Sequence, residues 1–237
     1  MDTVKNIFAQ ARQTGAQPVS FEIFPPKGEL SMESARTIAQ ELAKLDPAFI
    51  SVTYSAGGSG NKQATAEIAA MIQDDYGVPT VAHLTCAGAS QQSISAAVAD
   101  MKDRGIRNVL ALRGDLPEGY EAGDFRYAKD LIPVLADAGF CVGAAAYPEG
   151  HIDCDSLRLN VEHLRQKQDA GASFLVTQLF FDNDCVLSFP RRGRGRRYHR
   201  ADNRRHHAVH EQGADPAHGV HVRGFASQPH HQAARAI

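Results

Sequence analysis

The chain has 237 residues and no long apolar run. No stretch is long and apolar enough to span a bilayer, and Met1-Asp2-Thr3-Val4-Lys5 lacks the apolar core of a signal peptide. We therefore expect a cytoplasmic protein with no membrane partner. Cysteine is sparse and unpaired: Cys86, Cys141, Cys154 and Cys185 are scattered without a CxxC. That excludes a zinc ribbon and a disulfide framework, and reads as reduced thiols. No GxGxxG follows the first apolar strand, which removes the usual signal of a dinucleotide-binding doubly wound sheet.

Charge of one kind is missing from one end. From Pro190 to Ile237 there is no lysine, but there are ten arginines, three acids and eight of the eleven histidines. That leaves 15 Lys+Arg against 24 Asp+Glu before Pro190, a formal −9 for the body against +7 for the tail. The two parts do not read as one globular composition.

What the body does have is a regular alternation. Asp2 to Ala16 reads as a helix with Val4, Ile7, Phe8 and Ala11 on one face. Val19 to Phe24 is the first strand, stopped by Pro25-Pro26. Helix 31–45, with Ser31 as N-cap, is followed by a strand over Phe49 to Tyr54, which enters the small-residue loop 55–60. Helix 65–76 precedes a strand over Val78 to Cys86. Helix 90–104, stopped at Gly105, precedes the strand Asn108 to Leu112, which ends in Arg113-Gly114-Asp115. Helix 127–138, with Pro133 as an expected kink, leads to the strand Cys141 to Tyr147. Helix 156–170, stopped at Gly171, leads to the strand Phe174 to Phe181, whose apolar run Thr177 and Gln178 interrupt.

Six strand–loop–helix units imply a parallel sheet with helices outside it. A doubly wound sheet and a (β/α)8 TIM barrel both fit, although only six strands are legible. The polar residues at the strand C-terminal ends decide for the barrel: Glu22, Thr53, Tyr54, His83, Thr85, Arg113, Asp115, Tyr147, His151 and Gln178. A barrel gathers these onto one face, where the sites of such folds lie.

Glu22 stands out as a carboxylate among aromatic and β-branched residues. If it points inward, desolvation raises its pKa and makes it a proton donor near neutral pH. The plain alternative is a strand residue facing solvent. His83 can be a rim histidine, Arg113-Gly114-Asp115 a turn with a surface ion pair, and Tyr147 and His151 loop residues. A buried Gln178 would offer a donor and an acceptor to a heteroaromatic ring. No two His or Cys of this set sit at metal-ligand spacing, and no Ser or Cys has an evident base, so we expect neither a metal nor a nucleophile. The residues alone point to a barrel enzyme for a planar heteroaromatic ligand.

The motifs Ser-Phe-Glu-Ile-Phe-Pro-Pro (20–26), Ser-Val-Thr-Tyr (51–54), His-Leu-Thr-Cys (83–86), Leu-Arg-Gly-Asp-Leu-Pro (112–117), Ala-Ala-Tyr-Pro-Glu (145–149) and Thr-Gln-Leu-Phe-Phe-Asp (177–182) closely resemble methylenetetrahydrofolate reductase of the bacterial type. They follow the family's order and spacing to about Asp184. The resemblance implies a (β/α)8 barrel holding FAD, reduced by NADH or NADPH, that converts 5,10-methylenetetrahydrofolate to 5-methyltetrahydrofolate for methionine biosynthesis. It also implies a homo-oligomer for an intact member. Glu22 matches the general acid, and Asp115 the aspartate near flavin and pterin. Thr53 matches a nicotinamide-nucleotide contact and Gln178 a folate contact. Tyr54, Ala56, His83, Arg113, Gly114, Tyr127, Tyr147, His151 and Lys167 match flavin contacts. Asn160, His163 and Gln166 lie on the helix that the family turns towards the FAD nucleotide.

After Phe189 the resemblance stops, where the family continues with two more strands and helices. We expect an incomplete flavin/folate barrel over 1–189 and an aberrant, disordered tail over 190–237, with strands one and six left as bare edges. The tail can be read as a nucleic-acid-binding segment on a non-catalytic, truncated protein, or as a histidine-rich metal tract. A third reading is a shifted frame. Permitted codons for Arg197 to Val209, read one nucleotide later, allow Gly-Ile-Thr-Val-Pro-Ile-Ile-Ala-Gly-Ile-Met-Pro-Phe, an apolar strand where the family has its seventh. A one-base change near Phe189–Pro190 would also explain the surplus of Arg and His. On that reading nucleic acid is not a partner.

Overall fold

The computed structural model describes residues 1–25, 32–54, 62–116, 123–154 and 156–181, and the strand backbone of 207–211 and 223–227. Residues 26–31 with the expected N-cap Ser31, residues 55–60 with Ala56, Pro117, Cys185 and the Phe189–Pro190 junction lie outside the described residues.

Six parallel strands alternate with six helices: α1 (Val4–Thr14), β1 (Ser20–Ile23), α2 (Met32–Ala43), β2 (Phe49–Val52), α3 (Lys62–Tyr76), β3 (Thr80–Thr85), α4 (Gln91–Asp103), β4 (Asn108–Leu112), α5 (Ala128–Asp137), β5 (Cys141–Ala146), α6 (Leu157–Asp169) and β6 (Phe174–Thr177). Each strand pairs with its sequence neighbour in parallel. Because the order never reverses, right-handed crossovers put the connecting helices α2 to α6 on the same side. The sheet therefore curls as a half-barrel, and a doubly wound arrangement is ruled out.

Alternate strand residues serve the two faces. Ile23, Ile50, Val52, Ala82, Leu84, Val109, Ala111, Val142 and Ala144 belong to the large core cluster that includes the helix residues Ile68, Ile72, Leu131 and Leu135. The opposite face carries Phe49, Val81, Leu110, Cys141 and Phe174, and α1 plugs it at the strands' N-terminal end with Val4 and Phe8. Asn108 fastens that plug. Its buried carboxamide accepts from the Val4 N–H at 2.8 Å and donates to the Thr80 carbonyl at 3.0 Å. Gly143 is required on this face, since a Cβ there would sit 2.4 Å from the Phe174 ring. The concave face is thus apolar below and free to be polar above.

Local signals act as expected at several ends. Ser90 caps α4, accepting from the Ser93 N–H at 3.1 Å. Gly15 ends α1 in the left-handed region at φ +74°. Two details differ from the sequence reading. Helix α5 runs without a break through Pro133. Strand β6 stops at Thr177, not Phe181: the Gln178 N–H still reaches the Ala146 carbonyl at 2.8 Å, but the chain then turns and the Glu149 carboxylate accepts from the Phe181 N–H at 2.8 Å.

The tail contributes β7 (His207–Glu211) and β8 (Arg223–Ser227), an antiparallel pair. Strand β8 lies antiparallel beside β1, with Ser20 opposite Phe225 and Glu22 opposite Arg223. The edge of β1 expected to be bare is therefore paired over this register. The sheet order is β6-β5-β4-β3-β2-β1-β8-β7, and β6 remains an outer edge. No described helix is long and apolar enough to cross a membrane.

Candidate functional site

The polar end of the concave face is built from the second half of each strand. Glu22 on β1 and His83 on β3 point inward and are 7% and 5% exposed. The alternation that buries Ile23 on the helix side turns Glu22 to the inside, which settles the choice left open by the sequence. His83 Nε2 lies 2.6 Å from Ser51 Oγ of β2 and 3.6 Å from Glu22 Oε2. Glu22, Thr53, His83, Tyr147 and Gln178 line one cavity of about 220 Å³, walled below by Leu110 and Val176.

Two hydroxyls in this cavity, Thr53 Oγ1 and Thr177 Oγ1, are buried without a hydrogen-bond partner. Such groups cost stability unless a ligand or water satisfies them, so they mark a wall made for polar contacts. Gln178 lies just past the end of β6, exposed at the mouth, where its side-chain oxygen accepts from the Leu179 N–H at 3.2 Å. It is a rim residue and not the buried amide that an unbroken strand to Phe181 would have made.

A second cavity, of about 420 Å³, opens beside the first between the ends of β4, β5 and α6, and the two share Leu112, Ala145 and Tyr147 as walls. Its lining carries the cations Arg113, Lys129 and Lys167 and the imidazoles of His151 and His163. Lys167 donates to the Ala145 carbonyl at 2.9 Å and sits 5.6 Å above the Tyr147 ring. Burial lowers the pKa of its ammonium. Burial likewise pushes the Tyr147 phenol up; the Arg113 charge pulls it back, and Asp115 and Asp153 add to the rise.

The His151 ring stands edge-on to Tyr147, with centroids 4.5 Å apart. Its Nδ1 accepts from the Asp153 N–H at 3.0 Å, which leaves the proton of the neutral ring on Nε2. Burial lowers the His151 pKa, against the pull of Asp153. Arg113 is held by its backbone, whose carbonyl accepts from the Cys86 and Ala87 N–H groups at 3.2 and 2.7 Å, and by Asp153, 3.0 Å from its guanidinium. Gly114 permits this closeness: at φ +87° a Cβ would meet Thr85 at 3.0 Å.

The structure brings together most of the residues read from sequence, but not all. Asp115 is exposed on the loop after β4, outside both cavity linings, with its charge acting on Tyr147. Tyr54 packs against the main core, and burial raises its phenol pKa. Tyr127 is 44% exposed at the edge of the larger cavity. Asn160, His163 and Gln166 all line that cavity. The sequence reading missed Ser51, Asp153 and Lys129. Ser51 was findable, since it sits two residues before Thr53 and shares its strand face. Asp153 and Lys129 carry no periodic signal.

With this geometry in place, the comparisons with known proteins are specific. Residues 7–197 match the family model for methylenetetrahydrofolate reductase. The chain is 39% identical over 180 residues to 5,10-methylenetetrahydrofolate reductase of Pectobacterium carotovorum, covering 76% of this chain and 60% of that protein. It is 38% identical to the Escherichia coli enzyme over the same length and shares. Against the Arabidopsis thaliana protein named methylenetetrahydrofolate reductase (NADH) 1 it is 36% identical over 206 residues, covering 80% of this chain and 34% of that one. A solved Clostridium thermocellum protein, described as binding two copies of 5-methyl-5,6,7,8-tetrahydrofolic acid, shares the fold. Its TM-score is 0.52 at 12% identity, over 78% of this chain and 63% of that one. The chain spans about 60% of the length of its bacterial relatives. With two cavities on the concave face of a half-barrel and this match across most of its length, the chain belongs to the methylenetetrahydrofolate reductase family.

Proposed function

We propose that the chain carries the site for FAD-dependent reduction of 5,10-methylenetetrahydrofolate to 5-methyltetrahydrofolate, with NADH or NADPH as hydride donor. The observation that carries this reading is the shared wall. A buried carboxyl cavity opens directly beside a long cationic one, with Tyr147 between them.

The cationic cavity fits FAD by its chemistry. Arg113, Lys129 and Lys167 suit a diphosphate, and Tyr147 with His151 offers ring faces and edges to a planar group. When bound, FAD supplies a store for two electrons, filled by the nicotinamide and emptied to the folate. The chain's own residues do the rest. Glu22, sheltered from water, protonates the nitrogen that leaves the methylene bridge, so that the bridge opens to an iminium. Asp115 supports the positive charge that develops on the folate, from the loop after β4. Gln178 meets the pterin edge at the mouth, and Thr53 with Thr177 gives unsatisfied hydroxyls to ligand polar atoms. The Arabidopsis relative named for NADH favours NADH as donor. The same reading sets the chain in cytoplasmic one-carbon metabolism and methionine biosynthesis, in a homo-oligomer.

It also takes 1–189 as a flavin/folate barrel domain and 190–237 as the product of a frame shifted near Phe189–Pro190. The tail's composition supports this, as does the apolar strand in the neighbouring frame. So does the antiparallel seat of β8, where the parallel order of β1–β6 calls for a parallel partner.

The test is anaerobic and has two halves. In the chain with its frame restored after Phe189, NADH should bleach bound flavin, and 5,10-methylenetetrahydrofolate should restore the colour with formation of 5-methyltetrahydrofolate. Bleaching without recovery would reject the folate assignment.

A further inference from the structure

The contact between Ser51, His83 and Glu22 is not explained by flavin or folate binding. His83 Nε2 faces two oxygens at once, Ser51 Oγ at 2.6 Å and Glu22 Oε2 at 3.6 Å. The side chains of His83 and Glu22 are 7% and 9% exposed, so each alone would meet a large desolvation cost on ionising. A pair holding one proton has no net charge whichever member carries it, and this is the arrangement that a buried wall tolerates best.

The Ser51 hydroxyl completes the device. A hydroxyl donates to a bare ring nitrogen and accepts from a protonated one, so it can hold the ring in either state. The gap from Nε2 to Glu22 closes to hydrogen-bond length with a movement of under about 1 Å.

Among the described residues, the titratable groups on this cavity are Glu22 from β1, His83 from β3 and Tyr147 from the end of β5. Strands β2 and β6 bring hydroxyls and the Gln178 amide, and β4 brings leucines.

We propose that Glu22 and His83, held together by Ser51, share one proton, and that His83 returns it to Glu22 after each folate ring opening. The transfer step rests on the folate reading above; the shared proton does not. In the step, the Glu22 O–H breaks and its proton goes to the departing folate nitrogen. The imidazole of His83 then takes a proton from solvent on Nε2 when ligands exchange, and this Nε2–H breaks as the Glu22 O–H re-forms. One proton enters per turnover, matching the proton that accompanies the hydride. Glu22 is the catalytic acid; His83 and Ser51 act through it.

The test follows the titration of both groups by NMR in the full chain, with the His83 ring signal identified by its loss in His83→Gln and the Glu22 carboxyl signal by its loss in Glu22→Gln. Expected are two-step curves with the same two midpoints at both sites, the signature of a coupled pair. In Glu22→Gln the imidazole midpoint should fall by about 1 unit or more, because the facing carboxylate is gone. Independent single-step curves, or an unmoved imidazole midpoint in Glu22→Gln, overturn the proposal. The unmutated chain alone decides the first point, so a variant that misfolds does not block the test. Because the readout needs no turnover, failure of the pair is distinct from failure of the folate assignment. In the turnover assay, His83→Gln should lose one limb of the pH–rate profile that Ser51→Ala only shifts. A profile superimposable on the parent's would remove the transfer step.

Discussion

The body and the tail of this chain are built by different rules. In the body every strand runs parallel to its sequence neighbour, inner and outer faces alternate, and the formal charge is −9. The tail carries +7, and its two strands form an antiparallel pair lying against the one edge that β1 leaves open. Backbone pairing is tolerant of sequence and will accept any extended segment at an edge. Filling a concave face with an apolar floor and a polar rim is not tolerant, since it needs the right residue at every second position. Among the described residues, the linings of both cavities lie in the body for that reason.

The sharpest way to break this comparison is at Glu22. Glu22→Gln should slow reoxidation by 5,10-methylenetetrahydrofolate by roughly 10²–10⁴-fold, the range of general acid catalysis, while leaving reduction by NADH unchanged. Stopped-flow measurement of the two half-reactions checks this, and equal losses in both would place Glu22 in general binding.

Gly143→Ala probes the floor. Its new Cβ has no room against the Phe174 ring, so unfolding in denaturant should show a loss of about 1–3 kcal/mol. A neutral result would mean that the Phe174 ring yields to the new methyl group.

A smaller effect concerns pH. His151 is a base whose pKa burial lowers below the ordinary 6.5, so the unfolded chain binds more protons in that window. Stability should rise with pH from the lowered value up to about 6.5 and then level off. Thermal melts across that range should lose this contribution in His151→Gln.

The smallest expected signal belongs to the tail. If, as proposed, the tail's arginines come from a shifted frame and form no phosphate-binding surface, no salt-dependent shift of DNA mobility should appear. A shift that salt abolishes would support the nucleic-acid reading instead.

Much of this was legible beforehand because period-two alternation is a strong signal. It placed Glu22 and His83 on strands, and the rule that barrel sites gather at strand ends brought them together with Tyr147 and Thr53. It left open which way Glu22 faces, which follows only once Ile23 is seen packed on the helix side. The sequence leaves open whether Gln178 is buried, because an apolar run, Leu179-Phe180-Phe181, looks like a strand even where the backbone has turned away to Glu149. Asp153 was invisible for another reason: its role depends on a loop folding back to Arg113 across 40 residues of sequence, which no local pattern encodes. The antiparallel seat of β8 was not expected, since nothing in residues 223–227 resembles the alternation of the body.

The measurement that tests the account most directly compares two proteins side by side: the 237-residue chain as it stands, and the chain with its frame restored after Phe189. Flavin stoichiometry after purification and turnover of 5,10-methylenetetrahydrofolate with NADH are read for both. The account predicts stoichiometric flavin and turnover in the restored protein, and weak flavin retention with little turnover in the other. Full flavin and equal turnover in the chain as it stands would contradict it.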